Sequence, residues 1–444
     1  MENLIKKYNV AIPRYTSYPA TPAWNKELNE FDWFSSIRSV YNTNSGLDLY
    51  IHIPFCEKLC YYCGCHRFIT KNKDKGLTYV EALIKEWNLI KKRLGFRPKI
   101  HTIHFGGGTP TFLRPEDLNF LLESILEGDQ TISINSIEID PRTCLNEHLD
   151  VLSKFNFKRV SMGIQDFDPK VQKAINREQP FELVKDLVDK LRKRGIPSIN
   201  FDLIYGLPYQ TKESIEDTIS KVIELGADMI AFYSYAHLPS KFSNQKLIPN
   251  ESLPSGLEKR ELFEAGKEIF LKNRMIEVGL DHFAKEDNYL AKAKNEKRLV
   301  RSFMGHTDKK SDVLLGLGVS SISESPVGFY QNTKDVKDYY EMIEANKIPN
   351  SVSHLHTNAD VKTKAIIESI MCNEFFMSQD LKELPYQKDI LTQLEAMIEE
   401  KLIERNEDCW SITALGKVFL RNIAHIFDYR MREQEIKTTF SQSL

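Results

Sequence analysis

Between residues 47 and 234 the chain alternates six times between a short β-rich run and a longer charged, amphipathic stretch. The β-rich runs are LDLYIHI (47–53), IHTIHF (100–105), INSIEID (134–140), RVSMGI (159–164), INFDLIYG (199–206) and DMIAFYS (228–234). The stretches between them, such as YVEALIKEWNLIKKRL (79–94) and LVKDLVDKLRKRG (183–195), space their apolar residues as a helix does. In the second, Leu183, Val184, Leu187, Val188 and Leu191 share one face, and Gly195 supplies a stop. Such alternation predicts parallel strands joined by right-handed crossovers. A closed eight-fold barrel needs ~250 residues. Six repeats over 47–240 therefore predict an α/β fold built on an open, partial TIM-like (β/α)6 barrel with a wide mouth. The run VLLGLGVSSIS (313–323) is expected to close or flank its far side.

Composition sets the broad class. Apolar residues make up 41% and charged residues 27%, the proportions of a globular protein with a full core. Formal net charge is −2, so no global basic field recruits nucleic acid or an anionic membrane. No run approaches the ~18 apolar residues of a membrane span, and the N-terminus lacks the apolar core of a signal peptide. A cytoplasmic protein is expected. Helices are predicted at 361–372, 386–404 and 411–427, with a hairpin at 404–412, giving a winged-helix-like module suited to packing rather than to DNA. The expected division is an extension covering the active site (1–35), the barrel with its closing segment (36–325) and a mostly helical domain (326–444).

Four of the seven cysteines fall within ten residues: Cys56, Cys60, Cys63 and Cys65. In a reducing compartment such a cluster points to metal or to chemistry rather than to disulfides. It follows the first strand directly, where a barrel presents its active-site loops. Three thiolates spaced Cys-x3-Cys-x2-Cys can hold three irons of a [4Fe–4S] cluster, leaving the fourth iron open for a ligand. The competing reading is a structural zinc knuckle, but such sites draw their cysteines as two separated pairs, and no second pair exists here. Cys144, Cys372 and Cys409 stand alone and are expected to be small buried hydrophobes.

The second strand ends in HFGGGTPTFL (104–113), whose glycines let backbone approach a ligand closely. In the third, Glu138 and Asp140 share a face because side chains alternate with period two. Ser161, Gly163 and Gln165 share another, as do Asn200, Asp202 and Ile204. Polar residues at four consecutive strand ends predict a ligand-lined mouth.

The cysteine spacing, with Tyr62 before the third cysteine, resembles that of the radical S-adenosylmethionine superfamily. Within it, PRYTSYP (13–19), YIHIPFCEKLCYYCGC (50–65), SMGIQDF (161–167), NREQ (176–179), DLIYGLP (202–208), YAHLP (235–239) and DHFA (281–284) resemble the oxygen-independent coproporphyrinogen III oxidase family over nearly the whole chain. That resemblance implies oxidative decarboxylation of two propionate side chains of coproporphyrinogen III to vinyl groups, giving protoporphyrinogen IX. It implies a [4Fe–4S] cluster on Cys56, Cys60 and Cys63 and two molecules of S-adenosylmethionine. Tyr50, Gly107, Glu138 and Ile322 match contacts of the cluster-bound molecule; Tyr62, Gly108, Thr109, Gln165, Arg177, Asp202 and Ala236 match those of the second. Cys65 matches a residue needed for turnover, and Arg14 is a candidate partner for a substrate carboxylate. The resemblance also implies a low-potential electron donor such as flavodoxin or ferredoxin, and a monomer.

His52, His104, His237 and His282 sit in matching strings and are expected to be hydrogen-bonded packing residues. The chain departs from the family pattern at Met304, His306 and Asp308, and at Gln442 where arginine is common. Related proteins that chaperone haem or methylate it are the alternatives; Cys65 and the PRYTSYP segment argue against both.

Overall fold

The computed structural model describes residues 2–24, 28–128, 132, 134–433 and 440–443. Residues 1 and 25–27 of the expected extension, and 434–439 and 444 of the expected C-terminal domain, lie outside the described residues. The six expected strands are all present: β1 (Leu47–Ile53), β2 (Ile100–Gly107), β3 (Ile134–Ile139), β4 (Phe157–Gln165), β5 (Ser198–Tyr205) and β6 (Met229–Ser234). They pair parallel in chain order. Helices Asp74–Leu94, Pro115–Leu126, Asn146–Lys154, Phe181–Lys193 and Lys212–Glu224 make the crossovers. Each begins or ends where local chemistry dictates. Thr211 caps the last of them through Ser214 N–H, and Gly195, at φ +76°, follows the end of Phe181–Lys193.

The sheet does not stop at six strands. After β7 (Met275–Gly279) and β8 (His282–Lys285) come β9 (Leu314–Leu317), β10 (Ile322–Ser325), β11 (Gly328–Asn332) and β12 (Asn350–Leu355). The twelve-strand order is β12-β11-β10-β9-β1-β2-β3-β4-β5-β6-β8-β7. The run at 313–323 thus flanks the far side of β1: β9 pairs parallel with it, Gly316 opposite Tyr50. From β9 outward the strands turn antiparallel, and at the other edge β8 and β7 do the same. No pairing joins β7 to β12, so the barrel is open. The sheet also runs on across position 325, because β10 and β11 are one hairpin with Ile322 opposite Gln331.

One large apolar core lies between this sheet and its helices, and it takes in Trp33, Phe34 and Ile37 of helix Glu30–Val40. Trp33 stacks on Tyr330 at 5.1 Å between centroids. The helix thereby ties residues 30–40 to the sheet. A second core joins Ile366, Ile370, Trp410, Phe419 and Phe427, and into it project Tyr15 and Tyr18 from PRYTSYP. Tyr15 donates its hydroxyl to Asp428 at 2.9 Å. In this C-terminal module helices Asn358–Asn373 and Gln387–Glu399 flank a three-stranded sheet of Phe375–Met377, Cys409–Ile412 and Ile403–Asn406. The helix expected at 411–427 is shorter: Ser411 and Ile412 belong to the hairpin, and the regular helix is Leu420–His425. Of the isolated cysteines Cys372 is buried, whereas Cys144 and Cys409 are partly exposed. Among the described residues no helix is long and apolar enough to cross a membrane.

Trp33 is 1% exposed, so Trp33→Ala leaves a large void beneath the sheet. The expected loss is about 3–5 kcal/mol of unfolding free energy, read from urea denaturation. A loss under about 1 kcal/mol would show that helix 30–40 is only loosely attached.

Candidate active site

The C-terminal ends of β1 to β6 surround a chamber of about 520 Å³. Its walls include the thiols Cys56, Cys60, Cys63 and Cys65, the turn Gly107–Thr109, the carboxylates Glu138, Asp140 and Asp202, and Gln165 and Arg177. The loop carrying the cysteines has little regular structure, so its backbone carbonyls need donors from elsewhere. Asn176 Nδ2 donates to Leu59 O at 2.8 Å. Asn244 Nδ2 donates to Tyr61 O at 2.8 Å and to Cys63 O at 3.0 Å. Gln245 Nε2 serves Tyr62 O at 2.9 Å and Ala236 O at 3.2 Å. Side chains 117 to 183 residues away therefore fix the shape of the loop.

The glycine turn is a close approach in the strict sense. Gly107, at φ +117°, has no room for a Cβ, which would lie 2.8 Å from the His52 ring and 2.9 Å from Ile53 O. Its N–H donates to Glu138 Oε2 at 3.2 Å, and Gly108 N–H donates to Ile53 O at 2.8 Å. A Cβ on Gly108 would come within 3.0 Å of Cys56 Sγ. Beside it Thr109 Oγ1 lies 3.3 Å from the same sulfur.

Two guanidiniums offset the charge of the thiol cluster. Asp140 accepts from Arg142 at 2.6 Å and from Arg177 at 3.3 Å. Arg142 Nη2 and Arg177 Nη1 then reach Cys60 Sγ at 3.8 and 3.7 Å. Arg177 is anchored on Gly163 O at 2.6 Å. Although burial alone would raise it, the carboxyl of Asp140 is held well below the usual range by these two arginines. The thiols differ. Burial pushes Cys56 up to about 11, while the Cys65 thiol, donating to Cys63, pulls Cys63 down with help from Arg67 and Arg177. On the opposite wall Asn200 Nδ2 donates to Asp202 Oδ1 at 2.8 Å and Ser161 Oγ donates to Oδ2 at 3.1 Å. Burial, then the nearby Glu138, pushes Asp202 up to about 7. Arg142 Nη1 and Gln165 Oε1 are buried on the chamber wall without a partner among the described residues. Converging thiols backed by cations, with such groups unspent, suit a thiolate-ligated cluster and a polar ligand beside it.

Residues 50–222 match the family model of the radical SAM superfamily. The chain is 35% identical over 437 residues to the oxygen-independent coproporphyrinogen III oxidase of Pseudomonas aeruginosa, covering 96% of this chain and 95% of that one. It is 35% identical over 450 residues to the enzyme of the same name from Escherichia coli, covering 99% and 97%. The solved structure of the Escherichia coli coproporphyrinogen III oxidase, described as a radical SAM enzyme, superposes with a TM-score of 0.88 at 33% identity, covering 96% and 98%. The chain belongs to the oxygen-independent coproporphyrinogen III oxidase family.

Most of the residues singled out from the sequence meet in the chamber. Cys56, Cys60, Cys63, Cys65, Tyr62, Gly107, Gly108, Thr109, Glu138, Gln165, Arg177 and Asp202 all line it. Tyr50 stands behind Gly106, its hydroxyl 3.0 Å from His52 Nδ1. Ile322 lies two strands beyond Tyr50, its carbonyl packed on Gly316, the β9 residue opposite Tyr50. Ala236 and Arg14 line a separate cavity, and Arg14 is paired with Asp281. The four histidines are hydrogen-bonded: His52 to Tyr50 and His66 O, His104 to Ser136, His237 to Tyr235 and Asn250, His282 to Leu280 O. Met304, His306 and Asp308 line a cavity of about 410 Å³ that shares Glu138, Ser161, Asp202 and Tyr233 with the main chamber. Reasoning from sequence missed Arg142, Asn176, Asn244 and Gln245. Arg142, two residues beyond Asp140, and Asn176, the first letter of NREQ, carried a local signal; Asn244 and Gln245 did not.

An unfolded aspartate titrates near ~4, whereas folded Asp202 is pushed up to about 7. Between those values the folded chain keeps a proton that the unfolded chain has lost, so Asp202 makes stability fall as pH rises through that window. Asp202→Asn carries no such charge. In urea titrations of the ligand-free protein, the stability of the variant relative to wild type should climb from about pH 4 to about pH 7 and then level off. A pH-independent difference would refute the assignment.

Proposed function

We propose that this chain is a radical S-adenosylmethionine oxidoreductase that converts two propionate side chains of coproporphyrinogen III to vinyl groups, yielding protoporphyrinogen IX and carbon dioxide. The observation that carries the reading is the convergence of three thiols, two guanidiniums and a glycine turn on one chamber, in a chain related over its full length to enzymes of that name. A [4Fe–4S] cluster bearing S-adenosylmethionine supplies, once reduced, a carbon-centred radical able to take hydrogen from the propionate β-carbon.

Cys56, Cys60 and Cys63 would hold the cluster by their thiolates. Arg142 and Arg177, fixed by Asp140, offset the thiolate charge at Cys60. Tyr50, Gly107, Glu138 and Ile322 contact the cluster-bound cofactor; Glu138, already accepting from Gly107 N–H, sets the spacing of that wall. Tyr62, Gly108, Thr109, Gln165, Arg177 and Asp202 serve the second molecule, with Gln165 Oε1 free to accept from it; Ala236, matched to the same role, lines the separate cavity instead. Cys65 acts in turnover: its thiol rests on Cys63, so its position follows that of the loop. The 1–35, 36–325 and 326–444 division would separate the covering parts from the barrel, although the sheet itself continues from β10 into β11 across residue 325. A low-potential donor such as flavodoxin or ferredoxin, a monomeric state and a cytoplasmic setting complete the reading.

The test is an anaerobic assay of the reconstituted protein with S-adenosylmethionine, a low-potential reductant and coproporphyrinogen III, products being separated as oxidised porphyrins. Protoporphyrin should form with wild type. Cys56→Ala should lose the cluster absorption and all turnover. Cys65→Ser should keep the cluster yet lower turnover at least about a hundredfold, the scale of losing one positioned proton-transfer group. 5′-Deoxyadenosine without any change in the tetrapyrrole would retain the radical chemistry and reject the substrate.

A further inference from the structure

Beyond the catalytic chamber a second cavity, of about 730 Å³, lies on the outer side of β5 and β6. Alternation along the strands separates the two: Ile204 and Tyr233 face the catalytic chamber, while Tyr205 and Ser234 face the outer one. The outer walls come from helix Gly256–Lys272, the Asp281 turn, the N-terminal segment and the C-terminal module.

Most cations on these walls are already paired: Arg14 with Asp281, Arg260 with Glu264, Lys267 with Glu277 and Lys417 with Glu374. Two are not. Arg421, 7% exposed, gives its donors to backbone carbonyls of Pro13, Ile12 and Gln442 and, among the described residues, has no carboxylate partner. Lys259 donates once, to Tyr235 O at 2.7 Å, leaving protons of its ammonium unspent. Its stem runs across Gly206, where a Cβ would sit 2.8 Å from Lys259 Cε. Burial, and then repulsion from Arg14, holds its pKa down at about 8. A half-buried ammonium beside the Arg14 guanidinium is stabilised when an anion completes it. Tyr205, Phe263, Leu253 and Val418 supply apolar wall beside it.

We propose that this outer cavity binds a carboxylate-bearing tetrapyrrole, Lys259 taking one carboxylate while Arg14 and Arg421 supply the positive field. The assignment rests on the substrate class proposed above and adds a site to it. Asp281 tempers that field by neutralising Arg14. Ala236, on this wall, shares Gln245 with Tyr62 of the cysteine loop, which joins the two chambers through one side chain.

The experiment titrates the reconstituted full chain, loaded with S-adenosylmethionine, with coproporphyrin III and separately with deuteroporphyrin, following fluorescence. The tetracarboxylate should bind more tightly than the dicarboxylate. Lys259→Met should weaken coproporphyrin binding about tenfold or more, the scale of losing one charge-assisted hydrogen bond, and Lys259→Arg should recover most of it. Asp281→Asn, which tolerates the left-handed backbone there at φ +64°, should tighten binding by freeing Arg14. Unchanged affinity in Lys259→Met, or no binding by wild type, overturns the assignment. If wild type decarboxylates coproporphyrinogen while Lys259→Met binds like wild type, the cavity assignment falls and the reaction stands. If binding depends on Lys259 but no vinyl product forms, the reaction falls and the cavity stands.

Discussion

Asp140 is the hinge of the site's electrostatics. It lies at the end of β3, buried, and holds Arg142 and Arg177 together over the thiol of Cys60. Arg177 also binds Gly163 O of β4, so one carboxylate connects two strands to the cysteine loop. Two guanidiniums so close repel one another, and only the shared carboxylate makes the pair tolerable at this depth. Removing Asp140 would leave both cations buried and unpaired, a loss of about 3–5 kcal/mol by the usual cost of breaking such a pair. The placement of Cys60 depends on that balance, and through Cys60 so does the loop.

The loop itself is irregular backbone held rigid from outside. Its carbonyls at Leu59, Tyr61, Tyr62 and Cys63 are satisfied by Asn176, Asn244 and Gln245 rather than by helix or sheet. Side-chain amides suit this role because one Nδ2 or Nε2 can serve two carbonyls at once. The site therefore rests on strand ends and on a polar brace beyond the sixth strand, which is how an open barrel positions a ligand without a closed rim.

How much of this could be read from the chain follows from the range of each interaction. The six parallel strands were legible because period-two and period-3.6 patterns are local, and they emerge within a few residues of expectation. The same holds for the cysteine loop, the glycine turn and the faces carrying Glu138, Asp140 and Asp202. The brace was not: nothing near Asn244 or Gln245 says that their partners lie at 61–63. The edge of the sheet was also hidden, since β11 and β12 continue a hairpin begun before residue 325. Helix 30–40 likewise joins the main core through Trp33, although its sequence neighbours belong to the extension. Its tryptophan meets Tyr330 across three hundred residues, a pairing that no local pattern encodes.

Net charge was equally uninformative, because burial decides which charges matter. A chain with 60 basic and 62 acidic residues carries almost no overall field. Yet burial pushes the carboxyl of Asp202 up to about 7 and those of Asp166 and Asp428 up to about 6, so these acids keep their protons to higher pH than exposed ones do. The guanidiniums do not follow suit: Arg177 and Arg142 keep their charge at the thiols, and Arg14 and Arg421 gather on the outer wall of β5 and β6 with Lys259, whose pKa burial lowers to about 8. Guanidinium groups in particular stay charged at such depth. Period-two alternation then sorts the result, sending Tyr233 to one chamber and Ser234 to the other. Two cation-lined cavities on opposite faces of the same strands are thus a consequence of pleat and burial acting on an electrically balanced sequence.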